Sequence, residues 1–123
     1  MKRLGDAELE IMLAVWSAGE PVPASYVREK LRGSRDWPLP AVLTSLNRLV
    51  DKDFLACEKR GRGNWYRPLV SEEEYKTAES RGVIDRLYGS SFTGMVAALY
   101  DERAIGKDDL EELRRYLDSL EGK

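Results

Sequence analysis

The hydrophobic period of this chain changes just after Asp53, and that change constrains the fold more than any other feature. Before it, apolar residues recur three and four positions apart. After it, "FLACEKRGRGNWYRPLV" shows alternation around a glycine pair. The first pattern buries one stripe of a helix, and the second one face of a strand. Helical spacing then resumes and holds to the end of the chain. The order of elements is therefore three helices, a hairpin and three further helices.

The first predicted helix runs roughly from Ala7 to Ala18. Asp6 is its expected N-cap, Glu8 and Glu10 favour its N-terminal dipole, and Gly19 fits the position just past its end. Leu9, Met12, Leu13 and Trp16 form its expected apolar stripe. "EPVP" breaks the chain. A second helix, roughly Ala24 to Arg32, carries Val27 and Leu31 inward and stops at Gly33. After the short connection "GSRDWPLP" comes the third helix, with proline in its first turn, where a missing N–H costs little. Val42, Leu46, Leu49 and Val50 give it a clean core-facing stripe. Pro40, Ala41, Thr44, Asn47, Arg48 and Asp51 make the opposite face small and polar, without the dense Lys/Arg of an ordinary solvated helix.

In the hairpin, Gly61 and Gly63 are expected to supply the positive φ of a tight turn. Pro68 confines the second strand to an edge or a strand end. Ser71 and Glu74 form a capping box that opens a long helix, roughly Glu72 to Tyr88. Beyond "GSS", Phe92, Met95, Val96 and Leu99 share one face. In the final helix Leu110, Leu113, Leu117 and Leu120 do the same. These last helices have apolar stripes but no sheet to pack on, so packing against a second copy of the chain is the economical solution.

Charge divides the same way. Residues 1–70 hold 12 Lys/Arg and 9 Asp/Glu, whereas residues 71–123 hold 8 and 13. The basic and acidic halves point to different tasks. No apolar run approaches the ~20 residues of a membrane span, and "MKRLGDAE" lacks the apolar segment of a signal peptide. With one cysteine, Cys57, there is no intramolecular disulfide and no cysteine-based metal cluster within one chain. A reducing cytoplasm is the default compartment.

Catalysis finds little support. The chain has no histidine. Cys57 reads as a small packing residue in a strand. The capping box accounts for the Glu72–Glu74 run, and "GRGN" joins strand to strand rather than strand to helix, unlike a phosphate loop. No enzyme, cofactor or metal site is expected.

The basic residues are more informative. Lys59, Arg60, Arg62 and Arg67 cluster on the hairpin beside Trp65 and Tyr66. A basic hairpin that follows a helix-turn-helix reaches phosphates beside the groove. The expected fold is mainly α with a small β-hairpin wing: a winged helix-turn-helix over residues 1–70, then a helical dimerisation region over residues 71–123. The third helix would lie in the major groove with its N-terminal residues toward base edges. Pro40, Ala41, Leu43, Thr44, Asn47 and Arg48 are its candidate contacts, and Lys59, Arg60, Arg62 and Arg67 are those of the wing. Phe92, Met95, Val96, Leu99, Leu110, Leu113 and Leu117 are the candidate dimer contacts. The alternative is a protein-interaction module that uses the apolar face near Leu39 and Leu43.

The chain resembles the BlaI/MecI family of penicillinase-type repressors over nearly its whole length. The resemblance rests on "LGDAELEIMLAVW", "TSLNRLVDKDFL", "WYRPLVSEEEY", "RLYGSS" and "LEELRRYL". It implies a cytoplasmic homodimeric repressor that binds palindromic operator DNA. It also implies derepression through a membrane metalloprotease that senses β-lactam and leads to cleavage in the dimerisation region. Antibiotic-resistance members carry basic side chains early in the recognition helix, where this chain has Pro40 and Leu43, while Thr44 and Arg48 carry over. The cleaved Asn-Phe bond of well-known members falls at Ala98–Leu99. Copper-responsive relatives have a cysteine-rich tail, and this chain ends in "LEGK".

Overall fold

A computed structural model describes residues 1–122. Helix α1 (Asp6–Ala18) starts one residue earlier than its sequence signals suggest. Gly5, not Asp6, is the N-cap, and its N–H donates to Glu8 Oε1 at 3.3 Å. Gly19 ends the helix at φ 70°, a left-handed conformation that costs glycine little. The buried face is Ile11, Met12, Ala14 and Val15, while Leu13 is 39% exposed. The expected stripe was therefore partly wrong. From residue 9 to 16 only Glu10 is polar, so local spacing admits several stripes and tertiary packing selects one. Leu9 and Trp16 pack against the core from its edge.

"EPVP" does more than interrupt the chain. Val22–Pro23 forms a two-residue strand, β1, missed at the sequence level, and leads directly into α2 (Ala24–Leu31). Helix α3 (Leu39–Asp51) buries Val42, Leu46 and Leu49 as its period requires, with Val50 partly buried. Asp53, at φ 63°, turns the chain into β2 (Leu55–Arg60), which pairs antiparallel with β3 (Gly63–Pro68). Arg60 faces Gly63 across the turn, so two residues, Gly61 and Arg62, close the hairpin. Gly61 alone supplies the positive φ, at 62°; Gly63 begins β3 without one, which corrects the expectation for that glycine.

The sheet order is β1-β3-β2, with Val22 opposite Tyr66 and Pro23 opposite Trp65. Pro68 closes the central strand at its end, where its missing N–H interrupts no longer ladder. Cys57 stands opposite Tyr66 and is exposed. Its expected packing role fails because burial along β2 ends at Leu55, and the strand runs on from the core toward the exposed hairpin turn. Tyr66, on the central strand, is 1% exposed.

Two compact units divide the chain, Met1–Glu79 and Ser80–Lys123. In the first, the core of α1, α2, α3 and the sheet is completed by Tyr75, from the first turns of α4 (Glu72–Tyr88). Its phenol oxygen accepts the Leu4 N–H at 2.9 Å, and its ring meets Phe54 edge-on at 5.8 Å. The capping box forms as expected: Glu74 N–H donates to Ser71 Oγ at 3.0 Å, and Ser71 N–H to Glu74 Oε1 at 3.3 Å.

The second unit holds the rest of α4, α5 (Phe92–Asp101) and α6 (Lys107–Glu121). Ser91 caps α5 by accepting the Gly94 N–H at 2.8 Å, and Asp109 Oδ2 accepts the Gly106 N–H at 2.8 Å before α6. Neither α5 nor α6 buries a single residue.

Candidate nucleic-acid interface

The stripe that fixes α3 against the core also dictates what it presents outward. With Val42, Leu46 and Leu49 inside, residues 40, 44 and 47 fall on the far side at helical spacing. Pro40, Thr44, Asn47 and Arg48 are exposed, and Ala41 is half-buried. Thr44 Oγ donates to the Pro40 carbonyl oxygen at 3.0 Å. That bond occupies the hydroxyl proton and leaves the oxygen's lone pairs free to accept. Leu43 is half-buried and, like Leu39, packs against the core. Its outward surface is only its exposed edge.

Two ion pairs set the position of α3. At its C-terminal end, Lys52 Nζ reaches Glu8 Oε1 and Oε2 at 2.9 and 2.8 Å. Burial pushes the Glu8 carboxyl up. The Lys52 hydrogen bonds, the Gly5 N–H and the charges of Lys52 and Arg48 outweigh it and hold the carboxyl below its usual value. Ahead of α3, Glu10 takes hydrogen bonds from Ser34 and Arg35. The Arg35 guanidinium lies 5.5 Å from the centre of the Trp37 ring. Helix α1 thus grips both the approach to α3 and its exit. Sequence reasoning missed these pairs because the partners are 25 and 44 residues apart.

On the hairpin the four basic residues are not equivalent. Glu58 lies between two of them, with Arg67 Nε at 2.7 Å and Arg60 Nη2 at 3.4 Å. The Arg60 guanidinium also lies 5.0 Å from the Trp65 ring centre. Lys59 and Arg62 are exposed and have no ion-pair partner among the described residues. Arg62 is in the turn itself. The free positive charge of the wing is therefore at its tip.

In the second unit, Phe92 and Leu117 are each 49% exposed. Met95, Val96, Leu99, Leu110 and Leu113 are half-buried. Ala98 and Leu99 lie inside α5, away from either end. Leu87 at 69% and Tyr116 at 59% are also exposed, and sequence reasoning did not single them out. The available signal was helical spacing, from Val83 and Ile84 for Leu87 and from Leu113 and Leu120 for Tyr116. No helix among the described residues is long and apolar enough to cross a membrane.

Three helices with a basic hairpin beside the third define a winged helix-turn-helix, an architecture of DNA-binding proteins. Comparison with known proteins narrows this further. The family model "Penicillinase repressor" matches residues 4–119, and the chain belongs to that family. It is 28% identical over 114 residues to the methicillin resistance regulatory protein MecI of Mammaliicoccus sciuri, covering 93% of this chain and 92% of that one. It is 30% identical over 123 residues to the transcriptional regulator BlaI of Mycobacterium tuberculosis, covering 98% and 87%. Among solved structures it is similar to the monomeric form of Bacillus licheniformis BlaI in complex with the blaP half-operator. The TM-score is 0.51 at 31% identity, over 60% of this chain and 89% of the other. The DNA-binding domain of the repressor BlaI gives the same TM-score at 32% identity, over 61% and 94%.

Proposed function

We infer that this chain is a sequence-specific transcriptional repressor of a β-lactam resistance operon, acting from the cytoplasm as a homodimer on a palindromic operator. The observation that carries the DNA-binding reading is the exposed small polar face of α3, positioned by α1 and flanked by a hairpin with unpaired positive charge at its tip. Similarity to a repressor solved with its half-operator supports it. Thr44, Asn47 and Arg48 read base edges, Pro40 and Ala41 allow the backbone close to the groove, and the exposed edge of Leu43 meets a thymine methyl. Lys59, Arg60, Arg62 and Arg67 bind phosphates, with Lys59 and Arg62 contributing most because Glu58 does not compete for them.

The dimer reading rests on the uncovered stripes of α5 and α6. Two-fold symmetry in the protein then demands a two-fold operator, with half-sites about one helical turn, ~10 bp, apart or a multiple of it. Release by a membrane metalloprotease would act on the Ala98–Leu99 bond, which lies inside the proposed interface. A protein-interaction role through Leu39 and Leu43 has less behind it, since both side chains are engaged with the core.

The test is binding to a duplex that the protein selects from a random library. Arg48→Ala should cost about 1–3 kcal/mol and relax preference at one base pair. Lys59→Ala and Arg62→Ala should weaken selected and scrambled duplexes alike, each lowering the salt slope by about 0.9. Equal slopes in wild type and both wing variants would remove the wing from the interface. Failure to select any sequence would overturn the repressor reading.

A further inference from the structure

Three arginines fall within the eight residues that end α2 and start the connection to α3: Arg28, Arg32 and Arg35. Arg28 is in the last turn of α2, Arg32 is its C-cap and Arg35 is in the connection, so the turn of the chain at the helix end, not helical spacing, brings them together. With Asp36, Trp37 and Pro38 they line an open cavity of 310 Å³. Arg35 forms a fixed wall, tied to Glu10 and laid over Trp37. Asp36 is turned toward the connection, its Oδ1 accepting the Gly33 N–H at 3.3 Å.

The other two arginines are uncommitted. Arg32 meets Glu29 only at 3.6 Å, with both side chains 69% exposed, a pairing that contributes little in water. Arg28 is exposed and has no ion-pair partner among the described residues. Pro38, on the cavity wall, is also the N-cap of α3, and the first turn of α3 carries no acidic residue. The positive end of the α3 dipole adds to the guanidinium charge, and the negative end of α2, at which Arg28 and Arg32 sit, offsets part of it.

We propose that this cavity holds a backbone phosphate of the bound DNA, with Arg28 and Arg32 as its ligands, and so sets how deeply α3 enters the groove. The proposal rests on the repressor reading above. A recognition helix enters the major groove by its N-terminal end. The cavity is at that end, and the groove is only about 12 Å wide, so phosphates line its rim close by. The planar guanidinium fork matches two phosphate oxygens at once, which a lysine cannot do. The contact positions α3 without reading sequence.

The experiment uses the full chain and a duplex selected from a random library, with binding followed by fluorescence anisotropy across a salt series. Arg28→Ala with Arg32→Ala should lower the salt slope by about 1.8, and should weaken selected and scrambled duplexes by the same factor. The paired Arg→Lys variant should keep the slope and lose part of the affinity. Neutral methylphosphonates placed one at a time along each half-site should reveal a position that weakens wild type but not the double alanine variant. Both arginines are exposed, so unfolding midpoints should not move. If wild type selects a sequence and the double alanine variant keeps both slope and methylphosphonate pattern, this phosphate site is wrong and the repressor reading stands. If wild type selects nothing, the repressor reading fails first.

Discussion

The two units of this chain handle apolar surface in opposite ways. Every buried hydrophobic residue among those described, from Leu4 to Tyr75, belongs to the unit Met1–Glu79. The other unit carries comparable leucine stripes and buries none of them. Amphipathic spacing is thus necessary for a core but not sufficient. The first unit has a sheet and a third helix to receive each stripe. The second has helices alone, and Phe92, Leu117, Leu120 and Leu87 remain in solvent. A soluble chain tolerates such a surface when another protein surface covers it.

That contrast can be broken most forcefully at Phe54, which is 2% exposed. Phe54→Ala should lower unfolding free energy by about 3–5 kcal/mol, and by the same amount in a fragment spanning residues 1–79. A fragment that is unfolded before mutation would show that the first unit is not self-sufficient. In the second unit, Leu113→Asp with Leu117→Asp should instead act on association. It should raise the dimer dissociation constant by more than about a hundredfold, on the order of 3 kcal/mol, and leave the unfolding of residues 1–79 alone. An unchanged sedimentation coefficient would mean that these stripes are not the interface.

Smaller effects sharpen the comparison. Ser91→Ala removes the cap of α5 and should cost about 1 kcal/mol, visible as lost helicity in circular dichroism. Retained helicity would show that tertiary contacts, not the cap, hold that helix. The smallest change is expected at Glu8. Its carboxyl is held below the usual range, so the unfolded chain takes up protons first. Stability from the Lys52 pair is therefore full above pH ~4.5 and is lost as pH falls through the folded value. Glu8→Gln should flatten that acid limb of the stability profile. An acid limb identical to that of wild type would show that other carboxylates set it.

What could be read from residues alone follows the range of the forces involved. The α3 stripe and the Ser71–Glu74 box are local, and both form where their spacing places them. Strand β1 escaped because two residues cannot show alternation; it exists only because Tyr66 and Trp65 lie alongside it. In α1 the signal failed for the opposite reason, since apolar residues on most sides left Leu13 and Ile11 equally eligible. Cys57 was misplaced because alternation tells which face a residue takes, not whether anything covers that face. In the candidate interface, the outward face of α3 was legible as the complement of its core stripe. The Arg28–Arg32–Arg35 line was not, because it crosses the end of α2 into a segment without helical period.

The Leu4–Tyr75 hydrogen bond joins positions 71 residues apart. During synthesis, the core of the N-terminal winged unit is not complete until that tyrosine, about seven residues past the end of the hairpin, has left the ribosome. Until then Phe54 lacks its aromatic neighbour, and the Leu4 N–H must find water. The start of α4 is therefore the last piece of the winged unit in time, and the core of that unit is completed together with the first part of the chain that leads on to α5 and α6.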